Sequence, residues 1–61
     1  MHRYRIEYIM DDMPKGYVAS SVKYARDDKE AMKYIGTKPD KAGSFRLKRG
    51  GIARLKSITK L

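Results

Sequence analysis

The chain has 61 residues, with 15 Lys or Arg against 7 Asp or Glu, a formal net charge of +8, one His and no Cys or Trp. That length allows a single domain close to the lower limit for folding alone, and it excludes a disulfide framework or a cysteine-based metal or redox site. The lone His2 cannot build a histidine-rich metal site or a Ser-His-Asp triad, and the apolar runs are too short to predict a membrane span or a signal-peptide core.

Residues 3–10 alternate. Tyr4, Ile6, Tyr8 and Met10 share one parity, Arg3, Arg5 and Glu7 the other, and only Ile9 breaks the pattern. Period two in β-favouring residues predicts a half-buried strand. The turn-forming types in Asp11-Asp12-Met13-Pro14-Lys15-Gly16 predict a hairpin loop. A second strand follows over 17–26. Its larger apolar side chains, Val18, Val22 and Tyr24, share a parity and are expected to point inward, although a bulge that switches faces midway fits the same residues.

Asp27 and Glu30 have the spacing of a capping box, with Asp in the Ser/Thr role. Acidic side chains in a first turn suit the helix dipole. Ala31, Met32 and Ile35 give the apolar stripe of a short helix at 28–35, with Gly36 expected as a left-handed residue after it. At about two turns such a helix cannot stand alone in water, so it should lie on the sheet. Residues 36–44 read as a mobile loop.

The last third is ambiguous. Phe45-Arg46-Leu47-Lys48-Arg49 alternates as a strand over 45–49. Within 52–60, Ile52, Leu55, Ile58 and Thr59 sit at helical spacing, whereas Ala53, Leu55, Ser57 and Thr59 sit at strand spacing. A loop of Arg49-Gly50-Gly51 would set Phe45 opposite Leu55, Leu47 opposite Ala53 and Arg46 opposite Arg54, so every apolar residue meets an apolar one. Gly51 would supply the left-handed position that such loops need. The hairpin is therefore favoured over a helix, and it leaves Ile58 unexplained.

The fold class that follows is α+β: one small domain of ββαββ order, an antiparallel sheet with the helix packed on one face. The expected core is Tyr4, Ile6, Tyr8, Val18, Val22, Tyr24, Ala31, Met32, Ile35, Phe45, Leu47 and Leu55. A core this small predicts marginal stability, or help from a homodimer or a ligand.

The charge is unevenly placed. Acids and bases cancel over residues 1–30, and the whole excess lies in 31–61, where Asp40 is the single acid. Such a segment favours an anionic partner, and polyphosphate is the commonest. Nothing in the chain builds a catalytic site. Asp11-Asp12 lacks further metal ligands, Asp27-Asp28 is explained by capping, and Lys38 to Ser44 lacks the spacing of a phosphate loop. The chain is expected not to be an enzyme, to use no metal or cofactor, and to work in the cytoplasm.

The Tyr-rich first strand, the second strand running into Asp27-Asp28-Lys29-Glu30-Ala31, and the closing Leu55-Lys56-Ser57-Ile58-Thr59-Lys60-Leu61 segment resemble the small basic ββαβ-type proteins encoded by bacteriophages and prophages. The resemblance implies an accessory protein that binds DNA or a host protein, and it carries over no catalytic residues.

The leading expectation is a nucleic-acid-binding module, for DNA rather than RNA. Arg46, Lys48, Arg54 and Lys56 would lie on one face of a C-terminal ribbon, with Arg49 at its tip and Lys60 at its end, and would grip phosphates from the major groove. Base stacking is not expected, because Tyr4, Tyr8 and Tyr24 fall on core parities. The alternative is a protein-interaction module that uses its sheet edge and its basic surface on an acidic partner. A membrane surface is the least expected partner, since the ribbon lacks a broad apolar face.

Overall fold

The computed structural model describes residues 1–61. It is an α+β fold with one short helix and a four-stranded antiparallel sheet. Strands β1 (His2–Met10) and β2 (Ala19–Ala25) are followed by helix α1 (Asp28–Ile35), then β3 (Ser44–Arg46) and β4 (Ile52–Lys60). The strand order is β2-β1-β4-β3, so the first and last strands of the chain are the central pair. Strand β3 is only three residues long, shorter than expected.

The alternation of β1 works as expected. Tyr4, Ile6 and Tyr8 are buried on the face that the helix covers, and Ile6 is fully enclosed. The helix packs on β2 and β1 through Ala31, Met32 and Ile35. The Asp27 carboxylate caps its start by accepting from the Glu30 backbone N–H at 2.8 Å. Glu30 reaches back one residue further than a capping box requires. Its carboxylate accepts from the Arg26 backbone N–H at 3.1 Å and from the Arg26 guanidinium at 2.9 Å. These two bonds to Arg26 hold the Glu30 carboxyl below its ordinary value, and the same side-chain bond raises Arg26.

Gly36 does not take the left-handed conformation expected of it. Its φ of 176° is extended backbone. The residue is a glycine for a different reason. A Cβ there would collide with the Arg46 carbonyl oxygen and come within 3.0 Å of Phe45 Cδ2. The helix end is pressed against the β3 side of the fold, where Gly36 bridges Leu47 and the Ile35 carbonyl accepts from the Lys48 N–H at 3.0 Å. The 36–44 segment is tied down through Asp40, whose carboxylate accepts from the Ala42 and Ser44 N–H groups, and through the Gly43 carbonyl, which accepts from Leu55 N–H at 2.8 Å.

Strand β2 faces the opposite way to the expectation. Ala19, Ser21, Lys23 and Ala25 pair with Tyr8, Ile6, Tyr4 and His2 on the helix side. Val22 and Tyr24, expected inside, are 49% and 63% exposed. Val18 lies half-buried before the strand begins. The reason is steric. The chain turns from β2 into the helix within two residues, so the helix sits close over β2. Ala25 and Ala31, both fully buried, leave room for that approach, and the β1 tyrosines supply the bulk instead.

The last hairpin forms, but in another register. Phe45 pairs with Ala53, Arg46 with Ile52 and Ser44 with Arg54. Leu47 N–H donates to the Gly51 carbonyl and Gly50 N–H to the Leu47 carbonyl, so the three-residue loop is Lys48-Arg49-Gly50, one position earlier than expected. Gly50 and Gly51 both have positive φ, 101° and 91°; Gly50 supplies the left-handed residue that follows the type I turn of this loop. Leu55 instead faces Tyr8 of β1.

Ile58 finds its explanation in a bulge. Tyr8 pairs with Leu55 but Glu7 pairs with Ser57, which leaves Lys56 as an extra residue in β4. One inserted residue shifts the parity, so Ala53, Leu55 and Ile58 all lie on the helix side. The completed core is Tyr4, Ile6, Tyr8, Ala25, Ala31, Met32, Ile35, Phe45, Leu47 and Ala53, with Leu55 and Ile58 partly buried against it. Tyr8 and Phe45 meet edge to face at 5.8 Å between ring centres.

Candidate functional site

One face of the sheet carries the helix, and the other carries nothing. Because paired residues share a face, the registers place these side chains on the open side in rows. Tyr24, Arg3 and Leu61 form the first row, and Val22, Arg5 and Thr59 the next. Ser20, Glu7 and Ser57 follow, then Ile9, Arg54 and Ser44, then Ile52 and Arg46.

Four arginines therefore share this surface: Arg3, Arg5, Arg46 and Arg54, all exposed. Glu7 is the only acidic residue in these strand rows, and it accepts from the Ser57 hydroxyl at 3.1 Å; Asp40, in the loop before β3, borders the Arg46 and Ile52 end of the face. The one ion pair of the structure is Arg26 with Glu30, at 2.9 Å beside the helix start, so none of the four guanidinium groups has a carboxylate partner. Arg3 and Arg5 are two residues apart on one strand, which spaces them by about 7 Å. Arg46 and Arg54 are diagonal neighbours across β3 and β4, at a comparable separation of about 7–8 Å. Tyr24, Val22, Ile52 and Leu61 add exposed apolar surface between and beside them.

The six cations expected to form one patch are divided by the fold. Arg46 and Arg54 lie on the open face, and Lys56 is the exposed bulge residue in β4. Lys48 and Arg49 are in the loop before β4. They border a groove of about 540 Å³ on the helix side, whose walls include Tyr17, Tyr34 and Met10. Lys60 pairs with Tyr4 and so belongs to the helix side as well. Nor is the hairpin a free ribbon, since β4 is hydrogen-bonded to β1 along its other edge.

Charge summed along the chain hides Arg3 and Arg5, because the first half sums to zero. The fold removes the acids from that tally. Asp11 and Asp12 lie in the β1–β2 loop, and Asp27, Asp28 and Glu30 at the helix start, so none of them belongs to the strand rows of the open face. Tyr24 was missed with the parity of β2.

Nowhere do three His, Asp or Glu side chains converge. No helix is long and apolar enough to cross a membrane. In comparisons with known proteins, no family model, curated sequence or solved structure matches the chain.

Proposed function

We propose that the protein is a non-enzymatic nucleic-acid-binding module whose open sheet face takes a single strand. The guanidinium groups of Arg3, Arg5, Arg46 and Arg54 contact phosphates, and Tyr24 offers a ring for a base. The observation that carries this reading is the set of four arginines without carboxylate partners on the one uncovered face. Guanidinium forks bind phosphate oxygens in pairs and also stack on base planes, and an open sheet face with one or more rings is a known way to hold splayed bases. A duplex groove is a poorer fit. Four strands span about 14 Å between outer backbones, against a major groove of about 12 Å.

A second reading, an acidic protein surface docked on the same face, is favoured by Val22, Ile52 and Leu61, whose exposed apolar surface a phosphate backbone does not use.

The test is an NMR titration with oligothymidylate, duplex DNA and heparin. Oligothymidylate should shift the Arg3, Arg5, Arg46 and Arg54 side-chain signals and the Tyr24 ring. Heparin shifts as large and at the same residues would reduce the function to polyanion binding. No binding at low salt would move the assignment to the protein partner.

A further inference from the structure

The helix covers only part of the face on which it lies. It rests on β2 and β1, while β4, the next strand across, presents Leu55 and Ile58 on that same side, both half-buried. Between helix and strand runs an open groove of about 400 Å³, with Met32, Pro39, Leu55 and Ile58 along its floor and Lys29, Lys33 and Lys38 on its rim.

Two features of this groove are costly to a protein that leaves it empty. Its floor keeps apolar surface in contact with water, which burial would relieve. Its rim holds Lys29 and Lys33 four residues apart on one helix, where like charges repel, and neither belongs to an ion pair. Asp28 is the only carboxylate in the lining.

We propose that this groove binds an acidic amphipathic helix of a partner protein. The partner's apolar stripe lies on Met32, Leu55 and Ile58, and its carboxylates face Lys29, Lys33 and Lys38. The charge complementarity selects the acid. The shape selects the helix: an apolar trough between a helix and a sheet suits side chains spaced i, i+3, i+4 and i+7. The groove is open on one side, so its occupant must turn a polar face to water. An amphipathic helix does so, whereas an acyl chain would leave half its surface exposed. Nucleic acid has no use for an aliphatic floor. The groove and the arginine face lie on opposite sides of the sheet, so the chain would hold both partners at once.

The test uses a synthetic peptide of about four helical turns, with Leu at i, i+3, i+4 and i+7 and Glu at most other positions. A scrambled peptide of the same composition serves as the control. Binding is followed by fluorescence anisotropy and by amide shifts of the intact protein. The amphipathic peptide should shift Met32, Lys33, Leu55 and Ile58 but not Arg3 or Arg5, and the scrambled peptide should bind about tenfold more weakly or worse. Lys33→Glu with Lys38→Glu, both at exposed positions, should weaken peptide binding about tenfold or more while leaving oligothymidylate binding at the open face nearly unchanged. Equal binding of the scrambled peptide, shifts confined to the open face, or no binding at all would overturn the proposal. Displacement of the peptide by sodium laurate that shifts the same amides would assign the groove to an acyl chain and also overturn it.

Discussion

Replacing Arg3, Arg5, Arg46 and Arg54 together by Gln removes every cation on the strand registers of the open face and leaves the helix side untouched. Each phosphate contact to a single strand contributes about 0.7 to the slope of log K against log salt. Loss of all four should therefore flatten the slope by about 2.8. A control variant with Lys15, Lys29, Lys33 and Lys41 changed to Gln removes the same formal charge from exposed positions elsewhere. It tests the general pull of a basic protein, and its slope should stay much closer to the parent's. The measurement is anisotropy of labelled oligothymidylate between about 50 and 200 mM salt, the range over which phosphate contacts separate clearly. Dispersed amide spectra of both variants show that folding is intact. Equal flattening by the two variants would refute an arginine site on the sheet and leave only diffuse attraction.

Three further outcomes test the fold. Gly36→Ala should destabilise by about 1–3 kcal/mol in urea melts, the usual cost of overpacking, because its methyl group lands on the Arg46 carbonyl; an unchanged midpoint would contradict the close approach. On β2, Ala25→Val should cost about 1–3 kcal/mol, while Val22→Ala should stay within about 0.5 kcal/mol as a surface change; the reverse ranking would restore the inward parity of Val22. Glu30 has a lower pKa folded than unfolded, so the unfolded state binds the proton more readily, and the stability that Glu30 contributes is full above its unfolded value and lost as pH falls through its folded one. Glu30→Gln should accordingly narrow its stability gap from the parent between pH 7 and pH 3, and a gap independent of pH in denaturant titrations would show that the Arg26 contact does not form in solution.

Strand β1, the helix and the span of β4 were legible because each depends on a local pattern: alternation at Tyr4, Ile6 and Tyr8, a cap at Asp27, and β spacing from Ala53 onward. What was not legible depends on where one element lies over another. The size of Val22 and Tyr24 points that parity of β2 inward, yet the closeness of the helix demands small residues at Ala25 and Ala31. The helical spacing of Leu55 and Ile58 is the trace of the Lys56 bulge, since two-residue periodicity with one residue inserted yields an interval of three. Gly36 does cap the helix, its N–H donating to the Met32 carbonyl, but it is extended rather than left-handed, and the need for glycine comes from a neighbour ten residues away in the chain. The candidate site was half legible. Arg46 and Arg54 were named, but Arg3 and Arg5 join them only because the first strand lies beside the last, and pairing between chain ends leaves no mark in composition.

That pairing of first strand with last has a kinetic consequence. Tyr4 is set against Lys60, and Leu61 N–H donates to the Arg3 carbonyl at 2.8 Å. The β1–β2 hairpin and the helix start can form from local contacts, but the central ladder closes a loop that spans nearly the whole sequence. The equilibrium penalty of so long a loop is small, since each doubling of length adds only about 0.6 kcal/mol. The rate bears the larger effect, because high contact order slows the search for the transition state. During synthesis the β1 edge that β4 will cover stays unpaired until residue 60 is available. Until then the nascent chain exposes an open strand edge, with Tyr4, Ile6 and Tyr8 lacking their β4 neighbours. Its charge, zero over residues 1–30 and rising through the Lys and Arg of the second half, keeps such chains apart only once that half is being made.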